Sequence, residues 1–393
     1  MTILDKAFNL REETIARRRD FHQNPELAFN EVRTAQIVAQ ELRDLGLEVT
    51  TGIAKTGVIG LLHGAAEAPV LGLRFDMDAL PIQEETGAPY ASLVPGKMHA
   101  CGHDCHTAVG LSVAKLLAAH KDELQGTIKF IFQPAEEMDG GAAHMIAEGA
   151  LENPSLDYIM GFHVWNELPI GSYGLVPGPM MAASEIFNVK ISGKGGHGAQ
   201  PHVTRDPILA AAHVITALQS IVSRNVNPLD TAVVSVCQVE AGSANNIIPQ
   251  EALLTGTLRA FKPEVMANVK ERFKTIITEI AGTMGCQTEI ELITVTEPVI
   301  NDAALVALMT EVALEIHPDA KIVTNMQTMG GEDFSLMMKK APGCFMMVGS
   351  ANPESGLNYG HHHPKFDVDE SCLPYAVAIM AQGAMKVLER RPG

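Results

Sequence analysis

Gly126-Thr127-Ile128-Lys129-Phe130-Ile131-Phe132 is a short apolar run, and it leads directly into Gln133-Pro134-Ala135-Glu136-Glu137. β-branched and aromatic residues in a run of this length predict a buried strand, closed by the proline that follows. Two carboxylates delivered at the exit of a buried strand point to an open α/β sheet, where chemistry gathers at the carboxyl ends of strands. Two neighbouring runs repeat the arrangement. Residues 69–75 lead to Asp76 and Asp78, and residues 157–162 lead to His163.

Between these strands the period changes to that of helices. Residues 31–45 place Val32, Ala35, Val38, Ala39, Leu42 and Leu45 on one side, and Gly46 stops the run. Residues 106–120 do the same with Val109, Val113, Leu116 and Leu117. Residues 5–23 read as one amphipathic helix, with Arg17-Arg18-Arg19 as its solvated face. Strands also fit residues 47–51 and 57–62. Alternating strands and helices predict an α/β domain with a mostly parallel central sheet.

After Pro177-Gly178-Pro179 the order changes. Strands fit residues 184–192, 231–239, 251–261 and 287–295, with helices over 207–222 and 263–284. That β-α-β-β-α-β order is the ferredoxin-like arrangement. The expected organisation is therefore a first domain over residues 1–182, an inserted lid or dimerisation domain over 183–298, and a return to the first domain over 299–393. The returning segment predicts helices over 302–315 and 373–390 and a strand over 344–348.

The chain has 393 residues, too many for one ordinary core. Its formal charge of −17 argues against nucleic acid as a partner, because phosphate contacts need a basic face. No run approaches the roughly 20 apolar residues of a membrane span. The first residues hold Asp5, Arg11, Glu12 and Glu13 and no secretory h-region, so the expected location is the cytoplasm. The cysteines are too irregularly spaced for a disulfide framework.

The chemistry concentrates in Met98-His99-Ala100-Cys101-Gly102-His103-Asp104-Cys105-His106. Cysteine and histidine both coordinate borderline-soft metals, and a turn at Gly102 would aim Cys101 and His103 at one ion. At the strand exit, one of Glu136 and Glu137 can bind a metal while the other serves as a base towards water. His361-His362-His363-Pro364 adds three imidazoles in a loop. Asp76, His99, Asp104 and His106 could each support a ligand or cap a helix. Cys105 reads as core.

Taken together, several stretches resemble the metal-dependent amidohydrolases that include hippurate hydrolase, bacterial aminoacylases and plant auxin-conjugate hydrolases. They are Arg74-Phe-Asp-Met-Asp-Ala-Leu-Pro-Ile-Gln-Glu84, His99-Ala-Cys-Gly-His-Asp-Cys-His-Thr107, Gln133-Pro-Ala-Glu-Glu137, Gly161-Phe-His163, Gly193-Lys-Gly-Gly-His-Gly-Ala-Gln-Pro-His202, Gly330-Gly-Glu-Asp-Phe334 and His362-His-Pro364. The resemblance implies a metallopeptidase-like catalytic domain and two divalent metal ions per subunit: zinc, manganese, cobalt or nickel. Cys101, His103, Glu137, His163 and His362 would be the ligands, with Cys101 bridging and His361 competing for the last position. Glu136 would be the general base, and Asp78 a carboxylate that orients a ligand.

His197 of the inserted domain would reach a partner subunit's active site and donate to the oxyanion, which requires a homodimer or tetramer. Asn246, Arg259, Gly330 and Gly331 would contact substrate, the arginine fork suiting a carboxylate. The implied activity is hydrolysis of the amide of N-acyl amino acids. The competing enzymatic readings are a dipeptidase and an N-acyl-diaminopimelate deacylase. A Cys101 nucleophile paired with His103 is disfavoured, because two residues of separation hardly allow attack geometry. A non-catalytic metal protein would have no use for Glu136.

Overall fold

The computed structural model describes residues 1–138 and 140–390, and the chain divides into two compact units. One comprises Met1–Gly178, Ile300–Met326 and Asp333–Gly393; the other comprises Pro179–Val299 with Gln327–Glu332. The return segment thus revisits the second unit before rejoining the first. Residues 391–393 of the expected final segment lie outside the described residues.

The first unit is built on an eight-stranded sheet. In spatial order its strands are Glu48–Ile53, Gly57–His63, Thr127–Gln133, Val70–Asp76, Tyr158–Pro169, Gly343–Ala351, Ser172–Gly174 and Lys321–Val323. Its centre is parallel: Val70–Asp76 lies between Thr127–Gln133 and Tyr158–Pro169, and Gly343–Ala351 follows. Strands fully buried along their length account for the uninterrupted apolar runs. The helices Arg11–Gln23, His103–Ala118, Ala303–Ile316 and Leu373–Leu388 contribute Ile15, Val109, Met309 and Val377 to one continuous core. Parallel register pairs Asp76 with Gln133, so the chain leaves the sheet toward Asp78 and toward Glu136 from adjacent strands.

Several expectations need correction. The first helix is two, Ile3–Asn9 and Arg11–Gln23, with Leu10 between them. Arg18 is buried rather than solvated. The helix expected from residue 106 begins at His103, so the first turn contains His103 and His106. His163 does not end its strand; it lies within the twelve residues of Tyr158–Pro169, paired with Met347. The three-residue strands Ser172–Gly174 and Lys321–Val323 went unpredicted because so few residues show no period. Two helical windows, Pro207–Asn225 and Glu370–Leu388, are long and apolar enough by composition to cross a membrane, against the expectation of none. The second is largely a buried core helix.

In the second unit, Ala183–Ser192, Ala232–Ala241, Glu251–Ala260 and Gln287–Thr296 form an antiparallel sheet. Ala232–Ala241 and Gln287–Thr296 are its edges, and Ala183–Ser192 pairs with Glu251–Ala260 across the centre. The helices Pro207–Ser220 and Pro263–Thr283 pack on it, burying Val214, Leu218, Val269 and Phe273. Chain order and sheet order together are ferredoxin-like.

Candidate metal centre

Gly102 makes the turn between Cys101 and His103. Its φ of +94° favours glycine, and a Cβ there would lie 2.3 Å from Val164 Cγ2. The turn brings Cys101 Sγ to 3.4 Å from His163 Nε2. Two groups of donors, each mutually within 4.8 Å, share the cysteine: Cys101 with His103 and His163, and Cys101 with Glu137 and His362. His103, Glu136 and Glu137 form a third. The five expected ligands and the expected base therefore meet in one place.

Each imidazole is prepared for coordination by its other nitrogen. His103 Nδ1 donates to Asp78, 2.9 Å from the carbonyl oxygen and 3.2 Å from Oδ1. Its Nε2 is buried and has no hydrogen-bond partner among the described residues. A buried imidazole nitrogen facing a thiol and carboxylates, once it has given up any proton, is what a metal would satisfy. His163 Nδ1 donates to the carbonyl of Val164 at 2.6 Å, which leaves Nε2 facing Cys101. The donor set fits two divalent ions, with the Cys101 thiolate common to both groups.

His361 and His362 separate by their hydrogen bonds. His361 Nε2 accepts the N–H of Asn166 at 3.4 Å, so its proton resides on Nδ1, 3.8 Å from Cys101 Sγ. Among the described residues it is His362, not His361, that belongs to a group of mutually close donors, with Cys101 and Glu137. The His361 ring lies against Trp165 at a centroid distance of 4.7 Å. His362 instead places Nε2 3.0 Å from Glu137 Oε1, in a backbone conformation of φ 65° anchored by its N–H to Ala100 O at 2.8 Å.

Electrostatics in the metal-free chain oppose a free thiolate. Burial, then Glu137 and Glu136, push the Cys101 thiol well above its ordinary value. That counts against Cys101 as a nucleophile, since only the thiolate attacks. Burial disfavours a charged His103, yet Asp76, Asp78 and Glu137 outweigh it and lift the imidazole to about 10. Burial and the neighbouring His106 and His361 hold His163 well below its ordinary value.

Of the residues left open in the sequence, Asp76, Asp104 and His106 now have partners, while both ring nitrogens of the buried His99 have no hydrogen-bond partner among the described residues. His106 Nδ1 lies 2.5 Å from Asp76 Oδ1, and its Nε2 accepts the Val164 N–H at 3.0 Å, which fixes the backbone beside His163. Asp104 serves neither the cluster nor a cap; its Oδ2 takes Arg18 Nε at 2.8 Å and His22 Nδ1 at 2.7 Å. Cys105 is buried core, and all six cysteines are free. Asp78 orients His103 and also accepts the N–H groups of Glu136 and Glu137 at 3.0 and 3.1 Å. Two supporting carboxylates went unnoticed in the sequence. Asp333 accepts from Arg74, Gln133 and the N–H of Ala142, and Glu31 accepts from Ala135. Asp333 lies in the quoted Gly330–Phe334 motif; Glu31 had no local signal.

In the second unit, His197 pairs with Ile247 in a two-residue ladder, and Gly198 N donates to Asn246 O at 2.8 Å. His197 and Asn246 are thereby neighbours. Arg259 is half-buried, and Gly331 lies against it; a Cβ on Gly331 would approach Arg259 Nη1 to 3.3 Å and Thr296 Oγ1 to 2.8 Å. Gly330 belongs to the loop before a short helix. Its N–H goes to Thr328 Oγ1 at 3.2 Å, and the helix that follows, Phe334–Met338, is only five residues.

Comparison with known proteins accords with this centre. Residues 72–386 match Peptidase family M20/M25/M40. The chain is 43% identical over 375 residues to an IAA-amino acid hydrolase (ILR1-like 4) of Arabidopsis thaliana, covering 94% of this chain and 84% of that protein. It is 42% identical over 386 residues to an N-acetylcysteine deacetylase of Bacillus subtilis, covering 98% and 99%. A solved structure from Bacillus subtilis, described as a dinuclear metal binding peptidase from the M20 family, superposes with a TM-score of 0.85 at 37% identity over 97% of this chain and 99% of that one. The match spans both the donor cluster and most of the chain around it, and the protein belongs to Peptidase family M20/M25/M40, a hydrolase of the branch that contains these amidohydrolases.

Proposed function

We propose that the protein hydrolyses the amide bond of N-acyl amino acids, releasing a carboxylic acid and a free amino acid. The observation that carries this reading is Glu136 beside the donor cluster: its carboxylate lies within 4.8 Å of the donor atoms of His103 and Glu137. A metal-holding scaffold needs no such base. The activities for which the two relatives are named, on IAA-amino acids and on N-acetylcysteine, support an N-acyl amino acid as substrate.

Cys101, His103, Glu137, His163 and His362 would hold two divalent ions. When bound, the ions supply Lewis acidity toward the acyl carbonyl and lower the pKa of the attacking water. Glu136 takes the proton from that water as it adds to the acyl carbon. It then passes the proton to the amine nitrogen as the C–N bond breaks. Glu136 Oε1 accepts the Asp333 N–H at 3.4 Å, which holds the carboxylate in place between the two transfers. Arg259 is proposed to bind the substrate carboxylate, and Asn246 to contact the substrate as well. His197 is proposed to donate to the developing oxyanion in a partner subunit.

The test is release of amino acid from N-acetyl, N-benzoyl and indole-acetyl amino acids by protein reconstituted with zinc, manganese, cobalt or nickel. Glu136→Gln should lower turnover by roughly a hundredfold to ten-thousandfold while retaining its metal. Near-normal turnover in that variant would remove Glu136 as base. Cleavage of dipeptides alone would replace the substrate class. For His197, mixing Glu136→Gln and His197→Ala subunits should restore part of the activity; no recovery would count against a shared site.

A further inference from the structure

Consecutive residues of an extended strand point to opposite faces. Glu136 and Glu137 could not serve one place if the strand Thr127–Gln133 simply continued. The chain changes direction at Pro134-Ala135, and Ala135 adopts φ 54° while wholly buried. A left-handed alanine is strained and persists only where its surroundings hold it.

Carboxylates do the holding. The N–H groups of three successive residues leave the sheet ladder, and each is received by a carboxylate oxygen. Ala135 N donates to Glu31 Oε1 at 2.9 Å, Glu136 N to Asp78 Oδ1 at 3.0 Å, and Glu137 N to Asp78 Oδ2 at 3.1 Å. On the far side, Ala135 O accepts Gly141 N at 2.9 Å. Asp78 is tied to the centre through His103. Glu31 is tied only through the backbone it grips. It stands just before the helix Val32–Asp44 with no exposed surface, and its second oxygen accepts Thr56 Oγ1 at 2.6 Å. Both of its oxygens receive hydrogen bonds, so its part here is to accept them at a fixed reach.

We propose that Glu31 is a positioning residue of the hydrolytic centre: by accepting the Ala135 N–H it holds the left-handed turn that brings Glu136 and Glu137 to one place. The proposal rests on the reading of Glu137 as a ligand and Glu136 as the base. Zinc affinity measured without substrate tests it separately from the activity.

The experiment uses the full chain with Glu31→Gln, Glu31→Asp, Glu31→Ala and the double variant Glu31→Ala/Ala135→Gly. Glutamine keeps an acceptor of the same reach, and its amide donates to the Thr56 hydroxyl. Aspartate keeps the charge but falls one methylene short. Glycine at 135 takes the left-handed conformation without steric strain. Zinc affinity is read by competition with a chromogenic chelator, and kcat and KM on N-acetyl amino acids.

Glu31→Asp and Glu31→Ala should each weaken zinc binding and lower kcat by about 10- to 100-fold, with KM changed by less than about twofold. Glu31→Gln should stay near the unsubstituted protein, and the glycine double variant should regain most of the loss. Unchanged zinc affinity in Glu31→Asp would overturn the proposal, as would a Glu31→Gln as impaired as Glu31→Ala. If Glu31→Ala fails to fold, the aspartate and glutamine variants decide. If the unsubstituted protein cleaves no N-acyl amino acid, the zinc ranking still decides the role of Glu31.

Discussion

His103 shows how much of a metal site can be set before a metal arrives. Its Nδ1 proton is committed to Asp78, and carboxylates around it raise the imidazole to about 10. Without metal it is therefore protonated at neutral pH, and so is the Cys101 thiol, whose pKa is also raised. Ligands must lose these protons on binding. Divalent-ion uptake near neutral pH should thus release about two protons, and apparent affinity should rise as pH is raised above neutrality. Calorimetric titration in buffers of different ionisation enthalpy measures the release; binding without it would contradict these protonation states. The two competing histidines give a second test. His362→Ala should cost at least roughly tenfold in affinity for one of the ions, and His361→Ala markedly less, because His362 stands with Cys101 and Glu137 in a group of close donors while His361 accepts the Asn166 N–H.

At the scale of elements, the helix Arg11–Gln23 anchors the start of the helix His103–Ala118 through buried charge. Arg18 is fully buried and meets Asp104 at 2.8 Å, Asp367 at 2.7 Å and Glu370 at 3.2 Å. Removing one partner of such a network strands the others without a counter-charge, so Arg18→Met should destabilise the unit by about 3–5 kcal/mol, measured by denaturant titration. Burial opposes the charge on Asp104, but Arg18 and then His22 outweigh it and depress its pKa. A depressed carboxylate stabilises the fold above its unfolded value, near 4, and that contribution is lost as pH falls toward the folded value. The stability gap between the Arg18→Met variant and the unsubstituted protein should accordingly narrow in acid. The triple-arginine run was misread as one solvated face, although residues spaced about 100° apart around a helix cannot share a face. Its period carried the warning. The partners did not, since Asp104, Asp367 and Glu370 are far away in the chain.

At the scale of the whole molecule, the two units have separate hydrophobic cores, one around the eight-stranded sheet and one around the ferredoxin-like sheet. In the second, Phe187 and Phe273 pack with ring centroids 4.6 Å apart, both fully buried. Phe273→Ala should cost about 3–5 kcal/mol in the stability of that unit while leaving zinc stoichiometry intact, because the five candidate ligands belong to the other unit. Loss of metal in this variant would mean that the two cores are not independent. The sequence by itself determined the alternation of elements, because buried strands and amphipathic helices write their period locally. It also determined the donor chemistry, because the motifs with Cys101, His103, Glu136, Glu137 and His163 carry their residue types in order. Tertiary structure alone decided how Ala135 turns two adjacent glutamates to one place and why Arg18 is buried. Both depend on hydrogen-bond partners, Glu31 and Asp104, that only folding brings within reach.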